Sequence, residues 1–174
     1  MTDLRSYIRD IPDFPKPGIL FRDITPLMAS PEGFRAAVDG LAAHGREVGA
    51  RLVIGAEARG FLLGPAIANE LDAGFVLARK PGKLPYETVT AEYQLEYGVD
   101  ALEIHRDAIA GGARVLVHDD LIATGGTAAA LCDLIEKTGG HVAGCAFVVE
   151  LGFLHGRAAL RDRDVRSLVV YETE

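Results

Sequence analysis

Two adjacent carboxylates, Asp119 and Asp120, stand four residues ahead of Thr124-Gly125-Gly126-Thr127 in this 174-residue chain. That spacing suits a ligand that carries both hydroxyls and a phosphate. The carboxylates can accept hydrogen bonds from hydroxyls or hold a hydrated cation. Gly125 and Gly126 permit positive φ and a close backbone approach. The amides that follow open a helix, where unpaired N–H groups and the dipole favour an anion. Ala123 begins the turn, and Thr124 and Thr127 add hydroxyl donors. Neither GxxxxGK[ST] nor GxGxxG is present, which argues against a P-loop and a dinucleotide site. An acidic strand end with a glycine turn also occurs in α/β proteins with no ligand there, so this turn alone names no substrate.

Other stretches add chemistry of the same kind. Gly55-Ala56-Glu57-Ala58-Arg59-Gly60 is a second glycine-bounded turn between an apolar strand and an apolar helix. It offers backbone amides and the Arg59 guanidinium to an anion, although an Arg in a loop is ordinarily just a surface residue. The net charge is −7, so an acidic protein that binds phosphates must gather its cations locally. Arg79, Lys80 and Lys83 do so around Pro81-Gly82, enough charge to neutralise much of a diphosphate; a solvated loop is the plainer reading. Pro12, Pro15 and Pro17 stiffen an arm over 11–23 that is either a strap across the core or a platform where Phe21 stacks on a planar base. Val89, Ala91, Tyr93, Leu95 and Tyr97 alternate on one face, which predicts an antiparallel ribbon rather than core. Hinged by Pro81-Gly82 and Gly98, that ribbon could fold over a site as a lid. Glu96 points to its opposite face and reads first as a solvent-facing residue.

The elements that must position these groups alternate in type. Residues 3–9 read as a short helix. Ser30-Pro31-Glu32 starts a longer one, with Phe34, Val38 and Leu41 on its apolar face and Gly45 as its expected stop. Strands are expected at 52–54, 75–77, 115–117, 142–149 and, as a last edge strand, 168–170. Helices are expected at 61–71, 127–137 and 151–160, and 161–166 reads as a solvated charged surface. This pattern predicts an α/β fold: an open, mostly parallel sheet flanked by helices, with ligands bound beyond the strand C-termini. His118 falls in a strand and needs a hydrogen-bond partner if it faces the core, so it reads as structural. The five histidines show no metal spacing.

Length and 49% hydrophobic content fit one domain over 1–174, with an N-terminal strap at 1–30 and a flexible lid at 81–98. No apolar run is long enough for a membrane span, and the charged N-terminus has no secretory h-region. Cys132 and Cys145 lack any metal or redox spacing and read as packing residues in a reducing, cytoplasmic setting. The negative charge argues against nucleic-acid binding.

The stretch Val115–Thr127 resembles the signature of type I phosphoribosyltransferases, which bind 5-phosphoribosyl 1-diphosphate (PRPP). FPKPGILFRD near the N-terminus and LEYG at 95–98 resemble the adenine phosphoribosyltransferase branch, and the likeness runs from about Ile11 to Tyr171. It implies that Asp119 and Asp120 hold the ribose hydroxyls and that Ala123, Thr124, Gly125, Gly126 and Thr127 cradle the 5′-phosphate. EARGF matches the pyrophosphate loop, placing Glu57, Ala58 and Arg59 there beside Arg79, Lys80 and Lys83; some relatives hold a non-proline cis peptide in this loop. Phe21 would stack on adenine while main-chain groups of Leu20, Phe21 and Arg22 read the purine edge. Glu96 would act as catalytic acid or base at the imidazole edge, and Tyr97 would close the site. The implied reaction turns adenine and PRPP into AMP and pyrophosphate. Mg²⁺ would ride mainly on PRPP and pyrophosphate, with no direct protein ligand and Asp119 and Asp120 reaching it through water. A homodimer, with no nucleic-acid or membrane partner, is implied too. Rival readings are a transferase for 6-oxopurines (hypoxanthine, guanine or xanthine) and a non-catalytic PRPP-sensing regulator.

Overall fold

The computed structural model describes residues 2–95 and 98–174. A 3-10 turn at Leu4–Tyr7 leads into β1 (Arg9–Ile11), which pairs antiparallel with β2 (Phe21–Asp23) across the proline-rich arm. The arm turns at a cis Phe14-Pro15 bond. Two helices follow, α1 (Thr25–Ala29) and α2 (Pro31–Glu47). Ser30 caps α2 as expected, its hydroxyl accepting from the Gly33 amide at 3.1 Å. Gly45 does not stop this helix. It is buried inside it, and a Cβ there would lie 2.7 Å from Leu71 Cδ1, so the glycine serves helix packing instead. The short α1 has no periodic signature of its own. Asp23 organises its start, accepting from the Thr25 amide and hydroxyl.

The central sheet is formed by β3 (Leu52–Ala56), β4 (Gly74–Ala78), β7 (Arg114–Ile122), β8 (His141–Leu151) and β9 (Val165–Tyr171). Its order is β4-β3-β7-β8-β9, with every neighbour pair parallel. Both faces of the central strands are covered, which is why Val53 and Ile54, Val115 to Val117 and Cys145 to Val149 are buried apolar runs. On one face α1, α2 and α3 (Gly60–Glu70) bury Leu27, Leu41, Leu63 and Ile67 against Val53, Leu116 and Val148. On the other, α4 (Gly126–Lys137) buries Leu131, Leu134 and Ile135 against Val115, Val117 and Phe147. Cys132 and Cys145 are buried free thiols there. His118 is fully buried on β7, and its Nδ1 lies 2.9 Å from the Ala146 carbonyl.

A ribbon of β5 (Thr88–Leu95) and β6 (Gly98–His105) completes the second face. Here the expectation of a ribbon apart from the core needs correcting. Ala91 and Leu102 oppose each other, and with Ile104 they are almost wholly buried within the core that α4 forms. The apolar face of α4 reaches past the sheet, and the base of the ribbon covers it. Glu96 and Tyr97 lie outside the described residues.

Between β8 and β9 the expected helix at 151–160 is instead two 3-10 turns, Gly152–Leu154 and Gly156–Leu160. They are separated by His155 in the left-handed conformation, φ 54°. Nor is 161–166 wholly solvated, since Arg163 is mostly buried and pairs with Glu136, and β9 begins at Val165.

Candidate functional site

The C-terminal ends of β3, β4 and β7 lie side by side, so the three motif-bearing turns emerge at one edge of the sheet. The turn from β3 into α3 is packed tightly against β7. A Cβ on Gly55 would lie 2.7 Å from the Gly60 carbonyl oxygen, and one on Gly60 would lie 3.2 Å from both Asp119 Oδ1 and the His118 carbonyl oxygen. The Glu57-Ala58 peptide is cis. Arg59 follows and brings its Nε to 3.4 Å from Asp120 Oδ1.

Strand β7 continues past its apolar run and delivers both carboxylates while still in the sheet. Asp119 Oδ1 accepts from the Asp120 amide at 2.9 Å. Asp120 is buried, and neither of its carboxylate oxygens accepts a hydrogen bond among the described residues. Burial pushes both carboxyls above the ordinary carboxylate range; the neighbouring Asp120 charge adds to this at Asp119, and Arg59 opposes it at both. Such a pair has unmet acceptor capacity and awaits donors.

Beyond Ile122 the chain makes the expected turn into α4. Gly125 is left-handed, φ 85°, and stands at the N-cap. A cavity of about 160 Å³ opens there, lined by Asp119, Ala123 to Thr127 and Arg59. Its size and its ring of helix-start amides fit one phosphate group with part of a sugar.

The cations at the end of β4 are not free. Glu57 accepts from the Lys80 amide at 2.6 Å and from Arg79 Nε at 3.0 Å, and Lys83 Nζ lies 3.0 Å away. Burial alone would raise the Glu57 carboxyl, but the Lys80 amide, Lys83 and Arg79 together hold it at about 2. Glu57 therefore presents Arg79 and Lys83 as a paired cluster. The Lys80 ammonium turns to the ribbon, where it contacts Asp100 and the Tyr93 hydroxyl.

A second cavity, of about 360 Å³, lies on the other side of Arg59 and is mostly apolar. Phe21, Phe14, Ile24, Met28 and Leu62 contribute its walls. Phe14 meets Phe21 edge to face at 5.1 Å between ring centres, and the Arg59 guanidinium sits 5.7 Å from the Phe21 ring. Leu20 leads into β2, which Phe21 opens opposite Ile11. The Arg22 side chain turns away, packing 3.8 Å over the Tyr171 ring and pairing with Asp10. Ile24 and Met28 escaped the sequence reading because no motif marks them; their role follows from the fold of α1 under the arm. Gly156 escaped it too, and no local pattern singles it out.

A family described as the phosphoribosyl transferase domain matches residues 32–170. The adenine phosphoribosyltransferase of Solibacter usitatus is 55% identical over 172 residues, covering 99% of each chain. The crystal structure of adenine phosphoribosyltransferase from Thermoanaerobacter pseudethanolicus is 48% identical with a TM-score of 0.93, over 97% of this chain and 98% of the other. That of the Saccharomyces cerevisiae enzyme, complexed with an imino-altritol bisphosphate and adenine, is 41% identical with a TM-score of 0.90, over 95% of this chain and 96% of the other.

Proposed function

This chain belongs to the phosphoribosyl transferase family, and from that premise we propose how its residues carry adenine and PRPP to AMP and pyrophosphate in purine salvage. It is a pentosyl-transferring enzyme of the adenine branch. The observation that carries the residue assignment is the position of Arg59, which lines both the apolar cavity and the phosphate-sized cavity. A base in the first and a ribose 5-phosphate in the second therefore face each other across one guanidinium.

Adenine lies against Phe21 with its edge toward the main chain of Leu20 to Arg22. The turn Ala123 to Thr127 grips the 5′-phosphate through amides and hydroxyls, and Asp119 and Asp120 accept from the ribose hydroxyls. With the ribose fixed at both ends, the anomeric carbon is held for in-line attack by the base nitrogen. As the C–O bond to diphosphate breaks, the carbon gains positive character and the leaving group gains negative charge. The two carboxylates answer the first change; Arg59, Arg79 and Lys83 answer the second. Glu96 takes or returns the proton at the purine imidazole, and Tyr97 closes over the site.

Among the described residues no three His, Cys, Asp or Glu side chains gather as a metal cage. The two carboxylates at the end of β7 do fit Mg²⁺ that keeps its waters and is held mainly by substrate oxygens. When bound, that ion supplies charge neutralisation to the diphosphate. We place the enzyme in the cytoplasm as a homodimer. No helix among the described residues is long and apolar enough to cross a membrane.

A nucleobase panel tests the substrate. With PRPP and Mg²⁺, adenine is expected to yield AMP and pyrophosphate, with hypoxanthine, guanine and xanthine inert. Comparable kcat/KM for a 6-oxopurine would overturn the adenine reading, and absence of turnover with every base would overturn the enzyme.

A further inference from the structure

The segment that joins β8 to β9 packs against the turn from Ala123 to Gly125. A Cβ on Gly125 would lie 2.3 Å from the Gly156 carbonyl oxygen and 2.9 Å from Ala159 Cβ. Reciprocally, a Cβ on Gly156 would lie 2.3 Å from the Ala123 carbonyl oxygen and 2.9 Å from Ile122 Cγ1. Neither backbone can carry a side chain here, so the two turns are in direct main-chain contact, and Gly156 is not among the residues that line the phosphate-sized cavity. This second turn is itself anchored. Arg157 donates from Nε and Nη2 to the two oxygens of Glu150, both at 2.7 Å, and from Nη1 to the Val165 carbonyl at 3.1 Å. Glu150 is buried at the end of β8. Leu160, wholly buried in the α4 core, fixes the other end. A bidentate pair of this kind sets orientation as well as distance.

We propose that Gly156, held by the Glu150–Arg157 clamp, is a positioning residue for the 5′-phosphate. It sets the backbone of Ala123 to Gly125 and so aims the amides that open α4. This assignment rests on the reading of that turn as the phosphate site. Gly156 touches no substrate. Its lack of a side chain lets the clamp from β8 press the turn into one conformation instead of leaving it free to adjust.

The test compares two ligands at two ends of the site. Gly156→Ala is expected to weaken ribose 5-phosphate binding about tenfold or more, the scale of losing one hydrogen bond to a charged group. Pyrophosphate, bound by the Arg59 and Arg79 turns, is expected to keep its affinity within about twofold, the scatter of an undisturbed site. Both are read by calorimetry on the full chain, with the melting temperature confirming a folded protein. KM for PRPP should rise with KM for adenine unchanged. Arg157→Lys, which keeps the charge and loses the bidentate geometry, should give the same pattern more weakly and decides the matter if Gly156→Ala fails to fold. Equal weakening of both ligands, or of neither, would overturn the proposal. If the wild-type chain itself bound no ribose 5-phosphate, the function assigned to the turn would fall instead.

Discussion

The Arg59 Nε lies 3.4 Å from Asp120 Oδ1, and among the described residues Asp120 accepts no hydrogen bond at either oxygen. A buried carboxylate is therefore steadied by one half-exposed cation that also forms a wall of the apolar cavity beside Phe21. In the proposed assignment the pair ties the ribose end of the site to the base end, and it leaves acceptor sites on Asp120 open for hydroxyl donors.

Asp120→Asn keeps the shape and removes the charge. We expect kcat/KM for PRPP to fall about a hundredfold, the scale of one preorganised charge at a reacting centre. AMP formation measured over a range of PRPP concentrations checks this; activity near the wild-type value would remove Asp120 from the ribose site.

Phe21→Ala tests the base cavity alone. Stacking a base on an aromatic ring contributes about 1–3 kcal/mol, so KM for adenine should rise about tenfold or more while KM for PRPP stays within about twofold. A rise shared equally by both substrates would point to collapse of the proline-rich arm instead of loss of stacking.

The two lysines of the β4 turn should separate. Lys83 sits with Glu57 and Arg79, so Lys83→Gln is expected to weaken pyrophosphate inhibition about fivefold, as loss of one partly solvated charge contact does. Lys80 points to Asp100 and Tyr93, so Lys80→Gln should chiefly speed amide hydrogen exchange in β5 and β6. If Lys80→Gln instead weakened pyrophosphate as much as Lys83→Gln, its ammonium would belong to the ligand.

His118 predicts how stability depends on pH. Burial lowers its pKa to about 4 from the ordinary 6.5, against the opposing pull of the Ala146 carbonyl. Between those values the unfolded chain takes up a proton that the folded chain refuses. Stability from this group is therefore complete above pH 6.5 and is lost as pH falls toward 4, by up to about 3 kcal/mol. Denaturant titrations at pH 7 and pH 4.5 should show a smaller difference for His118→Gln than for the wild type; equal differences would mean that the histidine does not drive the loss.

The geometry of the turn from Asp119 to Thr127 was readable from local sequence because local interactions produce it. Two carboxylates ending an apolar strand, a left-handed Gly125 and a helix start are all set within ten residues, and the structure holds them where the spacing predicts. The parallel sheet was readable for a related reason: strands covered on both faces must be continuously apolar, as Val115 to Val117 are. Gly45 misled for the opposite reason. Its signature as a helix stop is local, whereas its actual role, room for Leu71, is set by another helix.

What the tertiary structure decided is everything that depends on which distant backbones meet. Only the order of the strands brings the ends of β3, β4 and β7 to one edge, so only the fold makes Arg59 common to two cavities. Only the fold gives Glu57 its hold on Arg79 and Lys83, turns Lys80 to the ribbon, and sinks Ala91 and Leu102 into the α4 core. Gly156 is the sharpest instance. A Cβ there would lie 2.3 Å from the Ala123 carbonyl oxygen, in a turn more than thirty residues earlier, and an absent side chain leaves no mark in the sequence until the backbone that needs the space is in place.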